Sequence, residues 1–552
     1  MLIKKEKNNL ILSFEYNPAL IEVIKLFDNR KYISKDKVWS VPIIHIKKTL
    51  ETLIPLGFSS TQEVLYEYNK FLIREKTIDR ILASDFKESE KKLLNEVNLP
   101  LFPFQKIGVG FLCATKSSLL GDEPGLGKSI QALSVTRINK ANKVLIICPS
   151  TLKLNWYDEI LKWFPNEKVT VITGTKIQRE KLWEYDSRYI IMNYELLLKD
   201  IETIKKIKWK HIISDESVRI SNPKAKQSKI IKTIEAEYKT ALTGTPLNNA
   251  VQDIWNILDF CQPNLLGSYW QFVNKYCIKD RFNGIIGYKN LGDLKIHLSH
   301  YMLRRKKEDV LTELPPKLFE NIYVEFNNEE KIIYNAIKNE IANELKEYQI
   351  TKVLDDKFLK NILVRMIRLK QTADSLKLIS EHDFSSKTKA LKELLKDIIH
   401  SGSKALIYTQ FSKMADILVD ELKEYNPLLI SGRIKNDERM SNVKLFQNKE
   451  ENKILISTDA GGIGLNLFRA QYVIHFDLPW SISKLTQRED RAHRIGQKEN
   501  VTIYKMIVEN TIDEYVLKVL HKKEKMVEEI LGDKEKVIKI KISKKDIKKM
   551  LT

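Results

Sequence analysis

The chain has 552 residues, which is too long for one hydrophobic core and predicts three or four domains. Hydrophobic residues make up 43% and charged residues 30% of it, an ordinary globular composition. No apolar run approaches the roughly 20 residues that span a bilayer. The formal net charge of +21 indicates a polyanionic partner, although Lys-rich codon usage would give the same charge. The four scattered cysteines argue against a structural zinc site and a disulfide scaffold.

The first 85 residues are predicted to form a small α+β module. Leu20, Val23, Ile24 and Phe27 share one face of a predicted helix. The cationic and aromatic residues that follow suit base stacking and phosphate contact, while the aromatic ones suit a hydrophobic core equally well. These residues are Arg30, Lys31, Tyr32 and Trp39.

The strongest local signal is a phosphate-binding loop. Gly125 and Gly127 allow a tight turn whose N–H groups can meet phosphate oxygens. Lys128 offers a positive charge to the β- and γ-phosphates, and the Ser129 hydroxyl suits Mg²⁺. The apolar stretch after them predicts a helix whose N-terminus faces the anion. The strict G-x-x-x-x-G-K-[ST] pattern fails at Asp122, so a surface turn is the alternative for this stretch taken alone.

Short apolar runs separated by amphipathic helical stretches predict buried strands of parallel sheets. Polar residues follow each run directly, and ligands bind outside the carboxyl ends of strands in open α/β sheets. Two clusters of site residues, at about 105–250 and 405–497, therefore predict two α/β lobes with a cleft between them. The runs are Val144–Cys148, Tyr189–Met192, His211–Ser214, Ala241–Leu242, Ala405–Tyr408, Ile454–Ile456 and Tyr472–Phe476.

Carboxylates and arginines supply the remaining chemistry. Asp215 and Glu216 end a predicted strand, where one carboxylate can hold Mg²⁺ opposite Ser129 and the other can orient an attacking water. Such a pair taken alone would be a solvated turn. Arg491 and Arg494, spaced i, i+3, are predicted on one helix face and suit a γ-phosphate as arginine fingers. A surface helix of salt bridges has the same pattern.

Taken in order, these motifs resemble the SWI/SNF-type ATPases, which are superfamily 2 helicase-like motors, across about 100–520. The stretch 101–105 resembles the adenine-reading motif, with Gln105 as the adenine contact. The Arg-Ile-Gly-Gln ending of 487–497 and the stretches 302–306 and 314–317 distinguish this family from RNA-unwinding relatives. The other matching stretches are 121–131 for motif I, 148–156 for motif Ia, 215–220 for the Asp-Glu box, 242–249 for motif III, 457–466 for motif V and 487–497 for motif VI.

The resemblance implies two tandem RecA-like parallel-sheet lobes with helical protrusions between them and a small N-terminal α+β module. It implies an ATP-dependent DNA translocase that uses ATP and Mg²⁺ and acts as a monomeric motor on duplex or forked DNA. Alternatives are an RNA helicase and an ATP-gated DNA clamp with weak coupling. The predicted bounds are 1–85 for the front module, 86–262 for the first lobe, 263–385 for helical protrusions or a linker, 386–530 for the second lobe and 531–552 for a basic tail.

The motif matches also assign site residues. The catalytic ones are Asp215, Glu216, Arg491 and Arg494, and the metal ligands are Ser129 and Asp215. The ATP-binding ones are Gln105, Asp122, Glu123, Pro124, Gly125, Leu126, Gly127, Lys128, Ser129, Gly464 and Gln487. The nucleic-acid-binding ones are Ser150, Lys153, Asn193, Thr409, Gln410, Ser457 and Thr458.

The chain departs from the family pattern at a few positions. Ser217 and Val218 stand where the family has Ala and His, which puts the coupling of hydrolysis to nucleic-acid contact in doubt more than hydrolysis itself. Pro124 replaces the usual Met and stiffens the phosphate loop. The front module resembles the HARP-type module of annealing helicases, in a single copy, and a plain α+β domain packed on the first lobe is the alternative. The first residues lack a secretory signal, which favours a cytoplasmic location.

Overall fold

The computed structural model describes residues 1–246, 250–280, 283–311, 313–351, 356–380, 384–459, 465–531 and 538–539. The chain divides into two compact units: the first comprises 1–306 together with the short strand 538–539, and the second begins at Lys307. Within the described residues, no helix combines the length and the apolar character that crossing a membrane requires. Most of the predicted basic tail lies outside the described residues, and only Leu531 and the short strand 538–539 are described.

The front of the first unit is a five-stranded sheet with helices, as the α+β prediction requires. Its strands are Leu2–Glu6 (β1), Asn9–Ser13 (β2), Lys31–Ile33 (β3), Val38–Pro42 (β4) and Ser59–Ser60 (β5), and its helices are Pro18–Ile24 (α1), Ile46–Leu53 (α2), Gln62–Leu82 (α3) and Glu88–Glu96 (α4). The strand order is β3-β4-β2-β1-β5. Leu10, Leu12 and Val41 are fully buried between this sheet and its helices, and Trp39 packs at the edge of the same cluster.

A seven-stranded parallel sheet forms the centre of the first unit. Its strands are Ser117–Leu120 (β6), Val144–Cys148 (β7), Val169–Val171 (β8), Tyr189–Asn193 (β9), Trp209–Asp215 (β10), Ala236–Leu242 (β11) and Met302–Leu303 (β14). The strands Cys277–Lys279 (β12) and Ile285–Tyr288 (β13) precede β14 in the chain and lie outside this sheet. The order is β14-β6-β11-β10-β7-β9-β8. All four runs predicted as strands in this part of the chain are confirmed, since they lie in β7, β9, β10 and β11. Every residue of 144–148 is buried, as the prediction of a buried strand requires.

Helices cover this sheet and connect its strands. They are Pro103–Thr115 (α5), Lys128–Ile138 (α6), Lys153–Trp163 (α7), Lys176–Trp183 (α8), Tyr194–Lys206 (α9), Lys226–Ile231 (α10), Asp253–Cys261 (α11), Tyr269–Tyr276 (α12) and Leu291–Leu298 (α13). The strand β14 belongs to the segment 263–385, for which the sequence predicts only helices and a linker. Its pairing with β6 makes residues 302–303 part of the first unit's sheet.

The front module packs directly on the first lobe through α3. The Arg74 guanidinium lies 5.0 Å from the ring centroid of Tyr301 and donates a hydrogen bond of 2.5 Å to its hydroxyl. A Cβ added to Gly110 of α5 would lie 2.9 Å from Phe86 and 3.0 Å from Ile81, so only glycine permits this close approach. The module is therefore built onto the helix that carries Gln105.

The second unit contains a six-stranded parallel sheet. Its strands are Lys317–Val324 (β15), Ala405–Thr409 (β16), Leu428–Ile430 (β17), Ile454–Thr458 (β18), Tyr472–His475 (β19) and Val501–Val508 (β20), in the order β15-β20-β19-β16-β18-β17. The strand Ile538–Lys539 (β21) belongs to the first unit, where it pairs with β13. The three runs predicted as strands here are confirmed. Ile407 and Ile474 belong to one hydrophobic cluster, and Leu406 and Val473 belong to another, as alternation across a doubly covered sheet requires.

The helices of the second unit include two long ones. They are Lys307–Val310 (α14), Asn328–Thr351 (α15), Asp356–Asp374 (α16), Ser386–His400 (α17), Ser412–Glu421 (α18), Asn436–Asn448 (α19), Ile482–Glu489 (α20) and Ile512–Leu531 (α21). The helices α15 and α16 lie within 263–385, where helical protrusions or a linker are predicted. The strand β15 was not predicted, and its pairing with β20 makes residues 317–324 part of this sheet.

Candidate nucleotide and nucleic-acid site

The predicted nucleotide-binding residues of the first unit follow three neighbouring strands at one edge of the sheet. Leu120 of β6 pairs with Leu242 of β11, and Leu242 pairs with Asp215 of β10. The phosphate loop follows β6, Thr243 follows β11, and Asp215 ends β10. Register alone thus places the loop, motif III and the carboxylates side by side at the carboxyl edge, where parallel sheets bind ligands. The last part of motif III, 247–249, lies outside the described residues.

The phosphate loop has the backbone that its glycines predict. Gly125 and Gly127 have φ values of 92° and 73°, in the left-handed region that favours glycine. The helix α6 begins at Lys128, directly after this turn, which confirms the predicted helix N-terminus. A Cβ on Gly127 would overlap the Gln105 amide, and that amide donates a hydrogen bond of 3.2 Å to the Leu126 carbonyl. The predicted adenine-reading residue therefore lies against the loop.

Lys128, Ser129 and the strand-end carboxylates form the polar part of this edge. The Lys128 ammonium donates to the carbonyl oxygens of Asp122 at 2.8 Å and Glu123 at 3.3 Å, which holds it against the loop. Ser129 is half-buried in the first turn of α6. A hydroxyl and a carboxylate oxygen fit Mg²⁺, which takes its other ligands from phosphates and water. The described residues contain no group of three or more His, Cys, Asp or Glu side chains that could hold a metal ion.

Asp215 is oriented by a residue that the sequence analysis did not single out. The Trp156 indole N–H donates to Asp215 Oδ2 at 2.8 Å, and the Glu216 backbone N–H donates to Oδ1 at 2.8 Å. Glu216 has a φ of 48°, so its backbone turns sharply at the strand end. Ser217 is buried and donates to the Ser214 carbonyl at 2.6 Å, while Val218 is half-buried. Motif Ia and the Asp-Glu box are thereby linked through the tryptophan.

Asp122, the departure from the strict phosphate-loop pattern, is a fully buried carboxylate paired with Arg305. Arg305 Nε donates to Asp122 Oδ1 at 2.9 Å, and Nη2 donates to Oδ2. The same guanidinium lies 5.3 Å from the ring centroid of Phe104, and Nη2 also contacts the Gln131 amide oxygen at 2.8 Å. A Cβ on Gly108 would lie 2.8 Å from Nη2, so α5 needs glycine there. The loop is therefore tied to the segment after β14.

Pro124 has a packing partner in motif III. A Cβ on Gly244 would lie 2.6 Å from Pro124 Cγ and 2.7 Å from its Cδ. The proline ring consequently lies directly on the glycine backbone after β11. This contact joins the phosphate loop to motif III without a polar bond, and it gives the Pro124 departure a structural role.

The predicted nucleic-acid residues of the first unit lie together at the ends of β7 and β9, since Cys148 pairs with Asn193. Ser150 is exposed. The Lys153 ammonium donates to the Ile172 carbonyl at 3.1 Å, and partial burial lowers its pKa. The Asn193 amide donates to Glu195 at 2.6 Å. These side chains share one edge, and Ser150 is the most accessible of them.

The predicted nucleic-acid residues of the second unit are mostly buried, and their assignment stays a prediction. Thr409, Ser457 and Thr458 are 0%, 0% and 3% exposed. The Thr409 hydroxyl donates to Asp477 Oδ2 at 2.6 Å, and the Gln410 amide donates to Oδ1 at 2.8 Å. The Ser457 hydroxyl donates to the Thr458 carbonyl at 3.2 Å. Gln410 is half-buried and is the most accessible of these four residues.

Arg491 and Arg494 do not share a helix face, so that prediction is wrong. The helix α20 carries Gln487 and ends at Glu489, and both arginines lie in the turns after it. Lys307 donates a hydrogen bond to the His493 carbonyl in these turns. Arg491 contacts the Leu465 carbonyl at 3.5 Å, and Arg494 donates to the Asn466 amide oxygen. Both arginines thus contact the last two residues of motif V, Leu465 and Asn466. Gly464 lies outside the described residues.

A buried ion cluster holds the start of these turns. Lys307 and Lys317 reach Asp490 Oδ1 at 2.7 and 2.9 Å, and Lys317 also reaches Glu489 at 3.1 Å. Burial alone would raise the pKa of Asp490, but the two ammonium groups outweigh it and hold the pKa at about 2. The His493 imidazole contacts the Pro315 carbonyl at 2.7 Å. Motif VI is therefore fixed by the stretch that begins the second unit.

Comparison with known proteins agrees with this arrangement. The family models of the SNF2-related domain and of the helicase conserved C-terminal domain match residues 104–378 and 386–496. An uncharacterised ATP-dependent helicase of Mycoplasma genitalium is 32% identical over 475 residues, covering 83% of this chain and 45% of that protein. The ISWI chromatin-remodelling complex ATPase ISW1 of Saccharomyces cerevisiae is 29% identical over 486 residues, covering 82% of this chain and 42% of that protein. The Sulfolobus solfataricus SWI2/SNF2 ATPase core, solved with double-stranded DNA, is 31% identical with a TM-score of 0.39. The match covers 78% of this chain and 93% of that chain.

Two parallel-sheet lobes with motif residues at their carboxyl edges define a helicase-like ATPase of superfamily 2. The chain belongs to the SNF2-related family of SWI/SNF-type ATPases, as the two family models show. It spans 45% and 42% of the length of the two curated relatives described above. Its resemblance to the HARP-type branch stays a prediction.

The Arg305–Asp122 pair yields a stability prediction. Arg305→Met leaves the buried Asp122 carboxylate without its guanidinium, so we expect the free energy of unfolding to fall by about 3–5 kcal/mol. The double variant Asp122→Ala/Arg305→Met removes the stranded charge as well and should cost less than the single one. Chemical denaturation of the full chain measures both. Equal losses in the two variants would show that the pair contributes packing rather than charge compensation.

Proposed function

We propose that the chain is a motor that hydrolyses ATP and uses the energy to move along or remodel duplex DNA. The observation that carries this proposal is the alignment of the phosphate loop, Thr243 and Asp215-Glu216 on three adjacent strand ends. Membership of the SNF2-related family supports it. The names of two relatives, an ATP-dependent helicase and a chromatin-remodelling ATPase, support ATP use and a DNA substrate.

The first unit would bind the nucleotide. The loop N–H groups around Gly125 and Gly127 and the Lys128 ammonium would hold the phosphates, and Gln105 would read the adenine. Ser129 and Asp215 would hold Mg²⁺, which supplies charge neutralisation at the phosphate oxygens. Trp156 keeps the Asp215 carboxylate in one orientation through its 2.8 Å hydrogen bond. The remaining loop residues, Asp122, Glu123, Pro124 and Leu126, would shape the turn rather than contact the phosphates through their side chains.

Glu216 is the residue we assign to water activation. It directly follows the proposed metal ligand, and its backbone turn directs the chain away from the strand. A carboxylate at this place can accept a proton from the attacking water as the bond to the γ-phosphate breaks. Arg491 and Arg494 of the second unit would stabilise the charge of the transferred phosphate, and Gln487 and Gly464 would assist nucleotide binding.

DNA would be held mainly through its phosphates, which the net charge of +21 favours. We assign this contact to Ser150, Lys153 and Asn193 in the first unit and to Gln410 in the second. Contacts of this kind position a motor on a duplex without reading its sequence. Thr409 would act indirectly, because its hydroxyl and the Gln410 amide both donate to Asp477. Ser457 and Thr458 would line the neighbouring strand end, at β18.

The front module would favour forked DNA, in keeping with its HARP-type resemblance. Lys31 is exposed and Tyr32 is 53% exposed, whereas Trp39 is packed against the module's own core. The Tyr32 and Trp39 rings lie 5.2 Å apart, which leaves Tyr32 braced but accessible. Such a ring can stack on an unpaired base at a fork while the lysine meets a phosphate.

The ATP-gated clamp is the second candidate, and Val218 favours it. A valine cannot hydrogen-bond, so it cannot link the Asp-Glu box to motif III as the family's histidine would. A clamp would bind ATP and DNA with no turnover, whereas the proposed motor turns over. A basal ATPase assay therefore separates the two.

Glu216→Gln tests the hydrolysis assignment. The carboxamide keeps the shape but cannot accept a proton, so we expect ATP turnover to fall about 100-fold or more with nucleotide binding retained. Lys128→Ala should lose turnover and weaken nucleotide binding together. The control is Glu235→Gln, an exposed carboxylate just before β11 at the opposite edge of the sheet, which should change neither. Turnover near the wild-type rate in Glu216→Gln would remove Glu216 from the reaction.

Tyr32→Ala tests the front module. Loss of one stacked base should weaken binding to forked DNA by at least about fivefold and leave fully paired duplex affinity unchanged. Tyr16→Ala is the matched control, because Tyr16 lies in the same module and is 84% exposed. If both variants bind forked DNA as the wild type does, the module has another role.

A further inference from the structure

Arg488 occupies a buried position that joins three strand ends of the second unit. Its side chain is 3% exposed, and its Nε contacts Asp459 Oδ1 at 2.6 Å. Its Nη1 donates to the Asp477 carbonyl at 2.9 Å, and the guanidinium lies 5.5 Å from the ring centroid of Tyr408. Tyr408 belongs to β16, Asp459 follows β18 and Asp477 follows β19, which are neighbours in the sheet. We call Arg488, Asp459 and Asp477 the Arg488 cluster.

The partners of the Arg488 cluster belong to both proposed functions. Asp477 accepts hydrogen bonds from the backbone N–H and the side-chain amide of Gln410, each at 2.8 Å. Gln410 is a proposed nucleic-acid contact. Arg488 itself directly follows Gln487, a proposed nucleotide contact, and precedes Arg491 by three residues. One guanidinium thus connects the end of β16 with the start of the turns that carry the arginines.

The charges and hydrogen bonds of the Arg488 cluster hold its three side chains in fixed positions. Burial alone would raise the pKa of Asp477, but Arg488 and Lys370 outweigh it and keep the pKa below its usual value. A planar guanidinium can serve Asp459 and Asp477 at once, which an ammonium cannot do with the same geometry. A displacement of Asp459 would leave the buried Arg488 guanidinium without this partner, so the cluster resists partial movement. Lys484 adds a second cation to Asp459 at 3.3 Å.

We propose that Arg488 is a positioning residue that couples DNA contact to ATP turnover in the second unit. This inference rests on the proposed function. DNA bound near Gln410 acts on Asp477 and through it on Arg488, which sets the start of the turns that carry Arg491. The coupling would replace part of what the Val218 departure removes, because it needs no contribution from the Asp-Glu box.

A purely structural role makes a different prediction. If the cluster only stabilises the sheet edge, its loss lowers stability and reduces basal and DNA-stimulated turnover by the same factor. If it couples the two sites, its loss lowers the stimulation ratio, which is DNA-stimulated turnover divided by basal turnover. The ratio is therefore the informative measurement, since a smaller folded fraction cancels from it.

The test uses Asp459→Asn and Arg488→Lys in the full chain. Asparagine keeps the shape but removes the charge, and lysine keeps the charge but removes the planar fork. We expect both variants to retain basal turnover within about twofold and to lose about fivefold or more of the stimulation ratio, the span typical of coupled sites. The matched control is Asp200→Asn, which disrupts the buried Arg179–Asp200 pair of the first unit, where Arg179 Nη2 contacts Asp200 at 2.9 Å.

Each outcome decides the inference. A reduced ratio in both cluster variants with an unchanged ratio in Asp200→Asn supports coupling through Arg488. An unchanged ratio in the cluster variants, or an equal reduction in the control, overturns it and leaves the proposed function intact. A wild-type chain without turnover refutes the proposed function itself, and with it the inference. Because Asp459 is partly accessible, at 19% side-chain exposure, Asp459→Asn keeps the test decisive if Arg488→Lys fails to fold.

Discussion

The buried pair between Asp122 and Arg305 is the constraint on which the first unit's site depends. A carboxylate with no solvent exposure needs a cation and hydrogen bonds, because an unpaired buried charge is strongly destabilising. The pairing of Asp122 with Arg305 determines three other features of the first unit. The segment after β14 must lie beside the phosphate loop, α5 must carry glycine at 108, and Gln131 must face the same guanidinium. The loop conformation is thus set partly by a residue 183 positions away.

Motif VI of the second unit also contains a buried carboxylate that is paired with cations. Asp490 is buried and receives Lys307 and Lys317, both from the stretch that begins this unit. In each unit, a motif carboxylate is therefore held by cations from residues 305–317. Such buried pairs tolerate few substitutions, because removing one partner leaves the other uncompensated. This requirement accounts for the basic residues of 302–317 better than a solvated charge run would.

Local sequence patterns predicted much of the fold but few of the side-chain contacts that hold the site residues in place. Buried strands appear as continuous apolar runs, so all seven predicted runs are strands. The glycines of the phosphate loop likewise predicted its turn. The short β14 has no such run, and the Arg305, Trp156 and Arg488 contacts join residues far apart in sequence. The i, i+3 spacing of Arg491 and Arg494 failed as a helix signal because α20 ends at Glu489, before either arginine.

We propose above all that this chain hydrolyses ATP and that duplex DNA stimulates the hydrolysis. The most direct test is ATP turnover with saturating duplex DNA, with saturating structured RNA and with neither, at one salt concentration because phosphate contacts are screened. The account predicts measurable turnover alone, a clear increase with duplex DNA and no comparable increase with RNA. Stimulation by RNA equal to or greater than that by DNA would contradict it, as would the absence of turnover under all three conditions.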